Sequence, residues 1–205
     1  MPRRLVNVDS AAFWINRYGE HGKEYVSRIG YDNYEKQREI VIAAVQPHLR
    51  AYAHTLDFGC GVGRFQDFLW KHSEEVDAVD WVEGALSEVA AKNPNTKTIC
   101  YDDLPLPLET GKYQLVWSCM VLQHIKNLTR FEETCKQLGD STASGAKFVL
   151  IENASDVSEH VALRQPEEYA DALGFSLDHR EHLSIDKPHS HWLIVGTERS
   201  ILSEK

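Results

Sequence analysis

Apolar and polar positions along the chain switch repeatedly between a helical period and an extended one. In 34–46 (YEKQREIVIAAVQ), Ile40, Ala43 and Ala44 fall at helical spacing, and Pro47 stops that helix. The short apolar run Thr55 to Phe58 follows as a strand, and Phe65, Phe68, Leu69 and Trp70 then mark another helical face. Val76 to Asp80 predicts a strand and Glu83 to Ala91 a helix, which Asn93-Pro94-Asn95 ends. Further strands are predicted at Thr98 to Tyr101 and Tyr113 to Ser118, a helix near 128–138, a strand at Ala146 to Ile151 and a helix near 166–173 that closes at Gly174. Two last strands, Phe175 to Arg180 and His191 to Thr197, have no helix between them.

Strands alternating with helices at this spacing imply a mostly parallel sheet covered on both faces, because each crossover lays a helix against it. The final pair implies an antiparallel hairpin at the sheet edge. Residues 1–33 hold Phe13, Trp14, Tyr18, Tyr25 and Tyr31 and read as a helical cap over the sheet. No repeat or long Pro/Gly/Ser linker divides the chain, so the expectation is one domain over 1–205, with a cap in 1–50 and a core in 51–205.

Composition narrows the classes. At 42% hydrophobic and 26% charged residues in a chain of 205, a sizeable core forms without disulfides or metal, and disorder is excluded as the main state. Cys60, Cys100, Cys119 and Cys135 lack a CxxC spacing, which argues against a disulfide framework or a thiolate zinc site. His189 and His191, with His179 and His182 on the preceding strand, read as hairpin residues, and no metal is expected. The net charge of −9 disfavours a nucleic-acid partner, since phosphate recognition needs a concentrated basic face and only Arg3-Arg4 stands at an end. No apolar run approaches the roughly 20 residues of a membrane span, and the N-terminus lacks a signal-peptide core, so a cytoplasmic protein is expected.

The sharpest chemical signal is Asp57-Phe58-Gly59-Cys60-Gly61-Val62-Gly63-Arg64, after a strand and opening a helix. Glycines belong in such a turn because its backbone angles exclude residues with Cβ, and because a bare backbone can approach a ligand closely. A dinucleotide fingerprint would want glycine where Arg64 stands, and a phosphate loop would need a Gly-Lys-Ser/Thr that is missing. Asp80 ends the second strand, where a carboxylate can accept from both ribose hydroxyls of a nucleoside or instead cap a helix. Trp81 could lie beside an adenine ring. Tyr101-Asp102-Asp103 follows the third strand and either binds or begins a turn.

Acid-x-Gly-x-Gly-x-Gly, Asp80, Asp102 and the segment Ser118 to His124 together resemble the motifs of class I S-adenosylmethionine-dependent methyltransferases, in order across about 45–200. The resemblance implies a Rossmann-like three-layer sandwich, whose mostly parallel seven-stranded sheet carries an antiparallel C-terminal hairpin strand. It implies S-adenosylmethionine held by Asp57, Gly59, Cys60, Gly61, Gly63, Arg64, Asp80, Trp81, Asp102, Asp103 and Cys119. Asp102 would accept from the adenine amino group. In a subset of these enzymes an arginine directly after the third glycine binds the cofactor carboxylate, a role a guanidinium fork suits, although Arg64 also reads as a surface helix residue.

The acceptor is expected at the carboxyl ends of strands four and five, under the cap and the 153–165 loop. His124 is a candidate base, since imidazole titrates near neutrality, or else a residue fixing the start of a helix. Glu152 is a second catalytic candidate or a helix-entry acid, and Trp14, Tyr18 and Asn153 are candidate substrate contacts. The post-strand segment lacks the Asn/Asp-Pro-Pro-Tyr/Phe of nucleobase and glutamine amino-methyltransferases and is closer to enzymes acting on small molecules, so an oxygen or nitrogen of a small molecule is the expected acceptor. Gly63-Arg64, His124 and Glu152-Asn153 also resemble the enzymes that methylate protein N-terminal α-amines. A non-catalytic cofactor-binding partner protein is the third alternative.

Overall fold

The computed structural model describes residues 11–22, 30–155, 161–186 and 189–199. Arg3-Arg4, Tyr25 and the 156–160 part of the loop expected over the acceptor lie outside them. Seven strands, β1 (Tyr52–Phe58), β2 (Ser73–Asp80), β3 (Lys97–Cys100), β4 (Tyr113–Cys119), β5 (Thr142–Asn153), β6 (Phe175–Asp186) and β7 (His189–Glu198), form one sheet in the order β3-β2-β1-β4-β5-β7-β6. The pairs β1 to β2, β1 to β4, β2 to β3 and β4 to β5 are parallel, whereas β7 runs antiparallel to both β5 and β6. Among the described residues six α-helices accompany it: α1 (Ala11–His21), α2 (Gly30–Val45), α3 (Gln66–Leu69), α4 (Glu83–Lys92), α5 (Leu128–Asp140) and α6 (Pro166–Leu173).

The central strands read as unbroken apolar runs because both of their faces are covered. Successive side chains point to opposite faces. Val116 of β4 and Phe148 and Leu150 of β5 pack with Phe131, Cys135 and Leu138 of α5 and Tyr169 and Leu173 of α6. Their neighbours Leu115, Trp117, Val149 and Ile151 pack on the other side with Val41 and Val45 of α2 and Phe65, Phe68 and Leu69 around α3.

The hairpin inserts its second strand into the sheet and leaves its first at the edge. Leu193, Ile194 and Val195 are consecutive and buried, so β7 needs cover on both faces, while β6 carries Asp178, Arg180, Glu181 and His182 exposed and suits an edge. The helical face expected from Phe65 to Trp70 contracts to the single turn α3, and β5 starts four residues earlier than its apolar run, entering through Gly145 at φ +70°.

Candidate functional site

The parallel strands β1, β2, β3 and β4 all end on one side of the sheet, and the loops leaving those ends bring the sequence's chemical residues together. After β1 the chain turns through Gly59, Gly61 and Gly63 at φ +71°, +53° and +78°, angles that a Cβ disfavours. At Gly59 space is also decisive, because a Cβ there would lie 2.3 Å from Val121 Cγ2. The loop is pinned to the end of β2: the Gly61 N–H donates to Asp80 Oδ2 at 2.8 Å, and the Val82 N–H donates to Asp80 Oδ1 at 3.0 Å. Burial raises the pKa of Asp80 despite these bonds.

Asp57 lies beneath the loop rather than in it. Its carboxylate accepts from Gln66 Nε2 at 2.6 Å, Gln66 Oε1 accepts from the Thr96 hydroxyl at 3.2 Å, and that hydroxyl accepts from Trp70 Nε1 at 2.9 Å. Burial, reinforced by the Asp80 charge and opposed by the Gln66 bond, pushes the Asp57 carboxyl up to about 7. The relay ties β1 to α3 and to the turn before β3. Cys60 is buried within the loop.

Arg64 turns toward α2, donating to the Tyr34 carbonyl and to Gln37 Oε1 at 3.3 Å, with its guanidinium 4.1 Å from the Tyr34 ring centroid. Its Nε is buried and has no partner among the described residues. Burial lowers the Arg64 pKa, and the nearby Cys119 thiol is pushed up to about 12 by its own burial.

On the β2 and β3 side, Trp81 and Tyr101 have ring centroids 5.7 Å apart, and Tyr101 stacks on Phe58 at 6.3 Å. Arg130 lies over the Trp81 ring at 5.4 Å and pairs with Asp103 Oδ1 at 2.9 Å, and the Leu104 N–H donates to that same oxygen. Asp103 therefore serves the turn and its ion pair, the structural alternative for this residue, while Asp102 is exposed beside it.

The loop after β4 is the second focus. Met120 adopts φ +60°, an angle uncommon outside glycine, and its N–H donates to the Ile151 carbonyl at 2.7 Å. A 3-10 turn, Leu122–His124, follows. Glu152 differs from its expected place: it is fully buried at 0% exposure, and its carboxylate accepts from the backbone N–H groups of Val121, Leu122 and Gln123 at 3.3, 3.1 and 2.8 Å. It caps the turn from below instead of facing an acceptor, and burial lifts its carboxyl to about 7 against those three bonds. Asn153 is likewise buried; its N–H donates to Gln123 Oε1 at 2.6 Å, and its Oδ1 accepts from the Ser155 N–H. Arg164 closes the turn from the far side, donating to the carbonyls of Leu122 and Ile125 at 3.3 and 2.6 Å.

The helix α1 covers both foci. Trp14 meets His124 edge to face, ring centroids 5.0 Å apart. Tyr18 sits over α4 instead: its hydroxyl donates to Glu88 Oε1 at 2.7 Å, which with burial raises its pKa to about 12, and a Cβ at Gly84 would lie 2.5 Å from its ring. Trp14, Tyr18 and Trp81 share one cluster with Val62, Val82 and Ala85, so Tyr18 belongs to the glycine-loop side, while Trp14 also meets His124 of the turn after β4.

The tertiary structure thus adds roles the pattern did not assign: Gln66, Thr96 and Trp70 in the relay, Tyr34 behind Arg64, Tyr101 and Arg130 around Trp81, and Gln123 and Arg164 around the turn.

Residues 56–141 match a family model described as a methyltransferase domain. A probable S-adenosylmethionine-dependent methyltransferase of Mycobacterium tuberculosis (strain CDC 1551 / Oshkosh) is 25% identical over 118 residues, 57% of this chain and 43% of that protein. The matched part thus spans less than half the length of the curated relatives. Among solved structures, the N-methyltransferase NodS from Bradyrhizobium japonicum WM9, in complex with S-adenosylhomocysteine, aligns with a TM-score of 0.71 at 16% identity, covering 92% of this chain and 98% of that one. Phosphoethanolamine N-methyltransferase 1 of Haemonchus contortus, in complex with phosphoethanolamine and S-adenosylhomocysteine, aligns with a TM-score of 0.73 at 16% identity, covering 98% of this chain and 51% of that one. At these identities the structures share the fold. Among the described residues no helix is long and apolar enough to cross a membrane.

Proposed function

We propose that the chain is a class I S-adenosylmethionine-dependent methyltransferase, with a cofactor to hold and an acceptor to choose, and that it transfers a methyl group to an oxygen or nitrogen of a small molecule. The observation that carries the reading is the glycine loop pinned to Asp80, within the segment that matches the family model. The residues present fit the cofactor: the buried, unpartnered Nε of Arg64 offers a donor for a carboxylate at the end of that loop. When bound, the cofactor supplies a methyl group on a positively charged sulfur, open to in-line displacement.

In this reading the backbone of Gly59, Cys60, Gly61 and Gly63 lines the cofactor, and Asp80 receives its ribose. Trp81 and Asp102 flank its base, and Arg64 and Cys119 meet its amino-acid end. Asp57 supports the loop through Gln66. The chain's own contribution to rate is alignment of the reacting atoms and exclusion of water, which α1 provides by laying Trp14 against His124. That cover favours a small acceptor. The peptide α-amine alternative leaned on Glu152-Asn153, and the Glu152 carboxylate is turned inward onto three backbone N–H groups.

A thermal-shift titration tests the cofactor. S-adenosylmethionine and S-adenosylhomocysteine at 100 times their Kd stabilise by about 2.7 kcal/mol, NADH and NADPH do not, and Arg64→Ala removes most of the shift. A shift with the nicotinamide cofactors alone would refute the reading. Methyl transfer from labelled cofactor to small-molecule pools and to peptides then tests the acceptor: transfer to peptides only overturns the small-molecule choice, and binding with no transfer to either supports the non-catalytic alternative.

A further inference from the structure

The carbonyl and the N–H of a trans peptide point in opposite directions, so a peptide can carry a hydrogen bond from one partner on to the next. Two peptides of the glycine loop do so in series. The Gly61 N–H donates to Asp80 Oδ2 at 2.8 Å, and the carbonyl of the same peptide, that of Cys60, accepts from the Gly63 N–H at 3.0 Å. The Gly63 N–H in turn shares its peptide with the Val62 carbonyl, which accepts from Lys92 Nζ at 2.6 Å. One line of hydrogen bonds therefore runs from the Asp80 carboxylate, at the end of β2, to the Lys92 ammonium in the last turn of α4. The negative end receives from an N–H and the positive end gives to a carbonyl, so both charges polarise the two peptides in the same sense and the bonds strengthen one another. Packing brings Lys92 to this contact: a Cβ at Gly63 would lie 3.0 Å from Val89 Cγ2, one turn earlier on α4. Val62 is 5% exposed, and among the described residues no other donor reaches its carbonyl.

We propose that Lys92 is a positioning residue that sets the two central peptides of the glycine loop and, through them, the Asp80 carboxylate. Two backbone N–H groups hold that carboxylate, Gly61 on Oδ2 and Val82 on Oδ1. The relay thereby fixes the direction in which Asp80 can accept from the hydroxyl groups of a ligand. Removing the Lys92 donor frees the Val62 carbonyl, and the loop then spends only part of its time in the geometry that binds. The apparent affinity falls by the inverse of that fraction. The effect on S-adenosylmethionine rests on the methyltransferase reading; the relay does not.

Nuclear magnetic resonance of the full chain without ligand reads the relay. Cys-Gly occurs once in the sequence, at 60–61, so carbonyl carbon-13 in cysteine and nitrogen-15 in glycine together isolate the Gly61 amide. In the wild type this amide is expected to exchange slowly with solvent. Lys92→Met keeps the apolar stem and removes the donor; it is expected to move the Gly61 proton upfield and to speed its exchange about 3- to 10-fold. Lys92→Arg restores a donor and is expected to return both most of the way to the wild type. Calorimetry with S-adenosylhomocysteine on the same proteins is expected to show binding about 3- to 10-fold weaker in Lys92→Met and recovered in Lys92→Arg. An amide unmoved by Lys92→Met, or fast exchange in the wild type, overturns the relay, and the wild type alone decides if Lys92→Met fails to fold. A moved amide with affinity unchanged within about twofold overturns the positioning role. Absence of binding to the wild type would refute the proposed function, and the Gly61 amide then decides the relay by itself.

Discussion

Gly59→Ala tests the structural idea that the glycine loop and the loop after β4 are built against each other. The substitution has two separable effects. The backbone stands at φ +71°, where a residue with Cβ costs roughly 1–2 kcal/mol. The added Cβ would also meet Val121 Cγ2 at 2.3 Å and Cγ1 at 2.6 Å, and forcing a methyl group into such contact costs roughly 1–3 kcal/mol. Together these predict a loss of about 2–5 kcal/mol, or roughly 5–15 °C in Tm for a chain of this length. The steric share is isolated by pairing the substitution with Val121→Ala, which removes both offending methyls and by itself costs about 1 kcal/mol. Denaturant unfolding of the wild type, the two single variants and the double variant completes the cycle. The double variant should be more stable than the sum of the singles by about 1–2 kcal/mol, because the strain of φ remains and the clash does not. Additivity within about 0.5 kcal/mol would mean that Val121 does not press on Gly59, and the contact joining the two foci would be refuted.

Stability should also fall as pH rises. Asp57 and Glu152 both titrate near 7 in the folded chain, above their ordinary 3.8 and 4.5, so between those limits the native state binds more protons than the unfolded one. Their contribution is full below the ordinary values and is lost as pH climbs through about 7, so urea unfolding should need about 1–3 kcal/mol more at pH 6 than at pH 8; the opposite trend would refute the burial of these acids. Arg164→Ala strands the carbonyls of Leu122 and Ile125 and removes a guanidinium 3.7 Å from the Phe131 ring centroid. A loss of about 3 kcal/mol is expected by thermal or chemical melting, with Arg164→Lys recovering less than half because an ammonium lacks the fork; an effect below about 1 kcal/mol would count against the clamp.

Much of the architecture was legible because it depends on local pattern. The extended apolar runs mark every strand, and the stops at Pro47, Pro94 and Gly174 mark where helices yield, since main-chain hydrogen bonding and side-chain period act over a few residues. The glycine loop was equally legible, because angles closed to Cβ leave a trace in residue type. Even the place of β7 was written in its consecutive Leu193, Ile194 and Val195, although the expectation of a hairpin at the edge did not say which strand turned inward.

Roles that depend on where a side chain points stayed out of reach. Nothing in the spacing separates a Glu152 that faces an acceptor from one that caps a turn, because the N–H groups of Val121, Leu122 and Gln123 come near it only when β4 and β5 pair in register. Tyr18 and Trp14 sit four residues apart on one helix, and only its packing across two loops sends one to Glu88 and the other to His124. Asp57, expected in the cofactor loop, and Arg164, which carried no reading in sequence, are buried groups whose partners are supplied by Gln66 and by the turn after β4. Strands, helices and the glycine turn are written locally, because they follow from short-range sterics. Which charges are buried and which are exposed depends on the tertiary structure, because burial follows from which segments the fold brings against them.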